Sequence, residues 1–327
     1  MTTQTPQEKC KNINDNMIAA MSSHHGNRSA KNELVKTILA DGHALVEGVP
    51  GTGKTQAVKK LAQSITAQFT RIQFTPDLQP FDMTGGDMFV SDPNGAGRWK
   101  EVLGPLFSNI VLADEINRAT PKTQAGLLEA MGEKQVTLSG RSTPSPLPSV
   151  FSVLATQNPI EQEGTNPLPE AQLDRFLTKI YFDPIEDKDE KAVLTSTGEP
   201  KKFTPLTLDH ILFFQKQAEA VAVDVKIAEY LVALRRATHD DTRVKDKGGV
   251  STRGNQMILK MAKTTALTKG RSSVTAEDVQ SIYSCTASHR IILNMDARFK
   301  GHTGKDVVES ALATVRPPTL TQDRREK

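Results

Sequence analysis

The sequence predicts an α/β fold, a parallel sheet of about five strands between helices with β-hairpin inserts, followed by an all-helical domain. Three observations carry that prediction. The stretch Gly48-Val49-Pro50-Gly51-Thr52-Gly53-Lys54-Thr55 follows the apolar run Ala44-Leu45-Val46 and precedes a segment, Gln56 to Ile65, that can be helical. Short apolar or β-rich runs recur at Phe69 to Phe74, Ile110 to Ala113, Val150 to Thr156 and Leu177 to Phe182, in the manner of strands buried on both faces of a parallel sheet. After Phe182 the pattern becomes helical.

Residues 1–28 are polar apart from Met17 to Met21 and read as a loosely ordered N-terminal arm. The pair His24-His25 has no third ligand at a metal-binding spacing, so it reads as solvated. Leu34, Val35, Ile38 and Leu39 recur at helical spacing, and Asp41-Gly42 closes that helix. A nucleotide-binding α/β domain is expected over 29–185. Within it, Thr75 to Pro105, which holds the only tryptophan, Trp99, and Glu133 to Pro148 are not helix-like. Such long loops in a compact domain are usually functional, and they are expected to be projecting β-hairpins.

Asp183-Pro184 breaks the chain and a linker is expected over 186–205, with one helix at Asp187 to Thr195. The helical domain then spans 206–327. Leu208 to Val221 and Asn255 to Leu267 read as helices, and Ile227, Tyr230, Leu231 and Leu234 form a one-sided apolar stripe. Thr275-Ala276-Glu277-Asp278 opens another helix with an N-cap and early carboxylates.

A chain of 327 residues is long enough for two domains with substantial cores. Lysine and arginine total 41 against 38 acidic residues, a net charge of +3, which argues against obligate nucleic-acid binding. The two cysteines, Cys10 and Cys285, stand far apart, so neither a disulfide framework nor a zinc site is indicated and a reducing compartment is expected. Met1 to Asn16 lacks an apolar leader segment, and no run approaches the length that spans a bilayer. The expected location is the cytoplasm.

The spacing G-x-x-x-x-G-K-[ST] has a physical reason. Glycines let the backbone curl so that successive N–H groups face phosphate oxygens, and the helix N-terminus that follows adds partial positive charge. Gly48, Pro50, Gly51, Thr52, Gly53, Lys54, Thr55 and Gln56 are the candidate nucleotide-binding residues, with Lys54 on the β/γ-phosphates and Thr55 holding Mg²⁺. Hydrolysis also needs a metal-holding acid and a base. Ile110-Val111-Leu112-Ala113-Asp114-Glu115 supplies both, Asp114 for the Mg²⁺ shell and Glu115 to polarise the attacking water. Asn158, ending the run Val153-Leu154-Ala155-Thr156-Gln157, can hydrogen-bond the γ-phosphate or the water. Arg175, Arg118 and Arg253 are candidates for transition-state charge.

With those residues in view the chain resembles the MoxR family of AAA+ ATPases. The resemblance rests on Gly48 to Thr55, Leu112-Ala-Asp-Glu-Ile-Asn-Arg-Ala119, Leu127-Leu-Glu-Ala-Met131, Ala155-Thr-Gln-Asn-Pro159 and, most specifically, Gly164-Thr-Asn-Pro-Leu-Pro-Glu-Ala-Gln-Leu-Asp-Arg-Phe176. It continues through Ser251-Thr-Arg-Gly254, Gly270-Arg271, Val274-Thr-Ala-Glu-Asp-Val279 and His289-Arg290, and so covers about residues 31 to 316.

The resemblance implies Walker A at Gly48 to Thr55, Walker B at Asp114 with catalytic Glu115, and sensor 1 at Asn158. It implies Arg175 as an arginine finger reaching the next subunit and Arg253 as sensor 2 from a helical lid. It further implies a hexameric ring using ATP and Mg²⁺, and a chaperone-like or cofactor-inserting role on partner proteins with a von Willebrand A domain. The two inserts match the family's helix-2 insert and pre-sensor hairpin in place. The chain departs from the family at His24 to Asn32, which lacks the usual Val-Gly-Gln opening, and at Gly140 to Pro148, which is unusually proline-rich.

Two other classes compete with this reading. A GTPase switch has only Asp82-Met83-Thr84-Gly85 as a D-x-x-G match and no N-K-x-D. A nucleic-acid motor is disfavoured by the near-neutral charge.

Overall fold

The structure, a computed structural model, describes residues 4–91, 97–139, 141–159, 164–195 and 203–319. Residues 92–96 of the first insert, Gly140 of the second and 196–202 of the expected linker lie outside the described residues. By packing, the chain divides into one unit of residues 16–176 and 180–212 and another of residues 1–15, 177–179 and 213–327.

In chain order, helices α1 (Pro6–Ala20) and α2 (Arg28–Leu39) lead into strand β1 (Ala44–Glu47), helix α3 (Lys54–Gln63) and strand β2 (Phe69–Gln73). Helix α4 (Pro80–Thr84) opens the first insert, the hairpin β3 (Gly85–Ser91) and β4 (Gly97–Leu103). Strand β5 (Ile110–Asp114) and helix α5 (Pro121–Glu133) follow, then the short pair β6 (Gln135–Val136) and β7 (Ser145–Pro146), strand β8 (Ser152–Gln157), helix α6 (Glu170–Leu173) and strand β9 (Thr178–Tyr181). The rest is helical: α7 (Asp187–Thr195), α8 (Leu208–Glu219), α9 (Val225–Asp240), α10 (Thr252–Thr268), α11 (Ala276–Ala287), α12 (Met295–Phe299) and α13 (Gly304–Thr314).

The five-stranded sheet has the order β2-β5-β8-β1-β9, and the pairs β2/β5, β5/β8 and β8/β1 are parallel. Every residue of β1 and β5 is buried, which is why their sequences are apolar runs rather than alternating ones. Their register brings strand ends together: Gln73 pairs with Asp114, Ala113 with Ala155, and Glu47 with Gln157. Loops leaving that edge therefore converge on one place.

Both inserts are hairpins. In the first, Phe89 pairs with Trp99, and their rings meet edge to face with centroids 5.5 Å apart. The second is tied to it by Arg141, whose guanidinium reaches Asp87 at 2.8 Å and Glu101 at 3.1 Å. Phe89 and Trp99 remain 59% and 71% exposed.

The segment expected to be a loosely ordered arm is largely a helix. Cys10, Ile13, Met17, Ala20 and Met21 are buried, and their spacing of three and four residues is that of one helical face. The signal is weak in the sequence because a cysteine, an alanine and two methionines carry most of it.

In the helical unit Ile227, Tyr230, Leu231 and Leu234 are buried, as a one-sided stripe requires. Helix α11 begins with a capping box in which Thr275 and Asp278 bond each other's backbone. Asp82, the acid of the D-x-x-G match, is likewise a helix cap: its carboxylate accepts from the Gln79 N–H at 2.9 Å.

Candidate nucleotide site

Strand β1 ends at Glu47, and the next six residues turn back into α3. Gly51 and Gly53 hold φ of 83° and 80°, a left-handed conformation that favours glycine. At Gly51 the space around an added Cβ is open, so backbone conformation alone calls for glycine there. At Gly53 crowding adds to it, because a Cβ would stand 2.5 Å from His24 Nε2. The Lys54 ammonium folds over the loop, donating to the carbonyls of Gly48 and, at 2.9 Å, Val49. Pro50, Gly51 and Gln56 are exposed and Thr52 is buried, its hydroxyl on the Val49 carbonyl at 2.9 Å.

Thr55, in the first turn of α3, faces the end of β5. Its Oγ1 is 3.4 Å from Asp114 Oδ1 and 3.5 Å from Oδ2. Oxygens bound to an octahedral Mg²⁺ at about 2.0–2.1 Å stand about 2.9 Å apart as neighbours and about 4.1 Å apart across the ion. At 3.4 and 3.5 Å the Thr55 and Asp114 oxygens stand between those two separations, and a hydroxyl facing a carboxylate is a donor set that Mg²⁺ takes, so the pair can hold the ion after a shift of about half an ångström. Among the described residues no cluster of three or more His, Cys, Asp or Glu could hold a metal by itself. An ion at this point would draw further ligands from phosphates and water, as Mg²⁺ ordinarily does.

Glu115 follows in a left-handed backbone conformation, φ 58° and ψ 48°, a conformation costly for a residue with a side chain and common at functional sites. What holds it is Thr156 on β8, whose Oγ1 accepts from the Glu115 N–H at 3.0 Å and donates to Asp114 Oδ1. The Glu115 carboxylate meets Gln73 Nε2 at 2.9 Å and Arg118 Nε at 3.1 Å. On the other side of Asp114, Arg71 Nη2 lies 2.7 Å from Oδ2.

The remaining candidates are distributed as follows. Asn158 is buried directly after β8, one residue beyond the Glu47/Gln157 pair, at the level where the glycine-rich loop begins. Arg175 turns toward α5, donating to the Leu128 carbonyl, with its guanidinium 3.4 Å from where a Cβ on Gly132 would stand. Arg253 is exposed in the first turn of α10, in the helical unit. Ser251 caps that helix by accepting from the Gly254 N–H at 2.9 Å.

His24 is not the solvated residue that its sequence context suggests. It is 6% exposed, its Nε2 is 3.2 Å from the Gly53 carbonyl, and its ring meets Phe182 edge to face. Burial, helped by the Lys31 charge, pushes its pKa down to about 4. Thr156, Arg71 and Gln73 bond Asp114 or Glu115, and His24 packs on the glycine-rich loop, although sequence reasoning assigns none of them that place. Arg71 and Gln73 leave one usable trace, polar residues two apart on a strand, which share a face.

Residues 43–178 match the family described as "ATPase family associated with various cellular activities (AAA)", and residues 242–311 match the "AAA lid domain". The chain is 41% identical over 285 residues to YeaC of Bacillus subtilis (strain 168), a protein described as uncharacterized, covering 86% of this chain and 87% of that one. It is 38% identical over 292 residues to Chaperone MoxR1 of Mycobacterium tuberculosis, covering 86% and 76%. A solved structure of a candidate ATPase from Cytophaga hutchinsonii superposes with a TM-score of 0.84 at 34% identity, covering 96% of this chain and 97% of that one.

Proposed function

The chain belongs to the MoxR family of AAA+ ATPases, and from that premise we propose that it hydrolyses ATP with Mg²⁺ and works as a hexameric ring that remodels a partner protein. The observation that carries the reading is the Thr55 hydroxyl facing the Asp114 carboxylate at 3.4 Å, with Glu115 next in the chain. The phosphate loop and Lys54 bind the phosphates, and Thr55 and Asp114 hold the ion. The ion held there would supply charge neutralisation for the phosphates. Glu115 accepts a proton from the attacking water, and Asn158 orients that water or the γ-phosphate.

Arg118 lies on Glu115 of its own chain, which supports Arg175 rather than Arg118 as the residue that completes a neighbour's site. Arg253 serves as sensor 2. The exposed Phe89 and Trp99 support the first insert as the place where a client, a protein with a von Willebrand A domain in this reading, is met. Among the described residues no helix is long and apolar enough to cross a membrane, and the cytoplasm is the proposed location.

Calorimetry and turnover test the reading together. Lys54→Ala should lose ATP binding, whereas Glu115→Gln should bind ATP and hydrolyse it about 10²-fold more slowly or worse. Unchanged affinity in the first variant, or near wild-type turnover in the second, would refute the assignment.

A further inference from the structure

The carboxylate that would hold Mg²⁺ already has a cation on it. Arg71 presents Nε at 3.0 Å and Nη2 at 2.7 Å to the same oxygen, Asp114 Oδ2. The other oxygen, Oδ1, takes the Thr156 hydroxyl. Two donors use both lone pairs of Oδ2, so an ion bound there must displace at least one of them.

The two partners differ in exposure. The Asp114 side chain is 8% exposed and that of Arg71 is 53% exposed. A nearly buried carboxylate needs a positive partner, and this one is supplied from the solvent side by a long side chain on an edge strand. Arg71 can therefore leave without opening the core. Its Nη2 also donates to Gln73 Oε1 at 2.6 Å, which fixes the planar fork in the orientation that faces Asp114.

We propose that Arg71 is a positioning residue that neutralises the Asp114 carboxylate until Mg²⁺ with nucleotide displaces it, and so sets the Mg²⁺ concentration at which the site tightens on nucleotide. The proposal rests on reading Thr55 and Asp114 as the Mg²⁺ position. Competition of two cations for one carboxylate is reciprocal, so weakening the resident cation strengthens the incoming one. Arginine is also distinguishable from lysine here, because lysine keeps the charge but loses the two-donor fork.

The test uses the full chain and a fluorescent, non-hydrolysable ATP analogue, with affinity measured from EDTA through millimolar MgCl₂. Arg71→Gln should bind the analogue in EDTA within about twofold of wild type, while its Mg²⁺ midpoint falls about fivefold to tenfold. Arg71→Lys should fall in between, and it carries the test if the glutamine variant does not fold. An unchanged or raised midpoint in the folded variants would overturn the proposal. So would loss of affinity in EDTA, which would make Arg71 a phosphate ligand. A wild type whose affinity ignores Mg²⁺ would instead remove the metal reading of Thr55 and Asp114, and this proposal with it.

Discussion

Thr156 Oγ1 accepts the backbone N–H of Glu115 at 3.0 Å while its own proton goes to the Asp114 carboxylate. One hydroxyl on β8 thus fixes two successive residues at the end of β5, one of them in a left-handed conformation. Thr156 is 1% exposed, so no water readily replaces it.

Thr156→Val keeps the shape and removes the hydroxyl. It leaves a buried N–H and a buried carboxylate oxygen short of a partner, at a cost of about 1–3 kcal/mol. Turnover should fall about tenfold or more while ATP still binds, because a cost of that size at Glu115 displaces the base. Thr156→Ser should recover most of both stability and turnover. Turnover in the valine variant equal to wild type would mean that Glu115 needs no such support.

His24 gives a pH dependence with a definite sign. Its folded pKa, about 4, lies below the ordinary value of 6.5, so the unfolded chain binds the proton more readily and stability falls as pH drops from about 6.5 toward 4. Lys31, Lys60 and His25 all oppose the protonated ring. His24→Gln removes that titration while leaving an amide to face Gly53. The gap in Tm between wild type and variant should therefore narrow or reverse from about pH 7.5 to about pH 5. A gap independent of pH would show that the ring does not titrate in this range.

Much of the candidate site can be read in the sequence because its parts are local. The glycine-rich loop is a run of consecutive residues, and Asp114-Glu115 ends an apolar strand. Thr156 and Arg71 are different: each acts on Asp114 only through strand pairing, β8 with β5 and β2 with β5. A threonine in an apolar run reads as core until its neighbour strand is known. His24 reads as solvated for the same reason, since what buries its ring, Gly53 and Phe182, is distant in the chain. Helix α1 escapes a sequence reading on different grounds, its buried face being built from weakly hydrophobic side chains.

In the helical unit, Asp278 is fully buried. Burial alone would push its carboxyl up, but Arg271, the Thr275 N–H and Lys269 together hold it below the usual carboxylate range. Asp278→Asn should cost about 2–3 kcal/mol, allowing for solvent screening of the two partly exposed cations. A depressed carboxylate stabilises above its unfolded pKa and loses that contribution as pH falls through the folded value. The Tm deficit of the variant should hold between about pH 5 and 8 and shrink below pH 3.8, the ordinary value. A deficit undiminished at about pH 3 would point to packing rather than charge.

Arg175 offers a test of the proposal that a neighbouring chain completes the site. Its guanidinium bonds the Leu128 carbonyl on α5 and lies beside Gly132, whereas Thr55, Asp114 and Glu115 meet at the sheet edge. If rings form, Arg175 adds positive charge to the neighbour's phosphates, a contribution on the order of 10³-fold in related chemistry. Arg175→Ala should then bind ATP and hydrolyse it poorly. Mixing it with Glu115→Gln should restore part of the turnover, because a chain with intact Glu115 receives Arg175 from a neighbour that has it. Neither variant alone can regain activity by dilution, so recovery in the mixture reports exchange between chains. Normal turnover by Arg175→Ala in assembled rings would end the assignment and return Arg118 as the candidate, at the expense of its bond to Glu115.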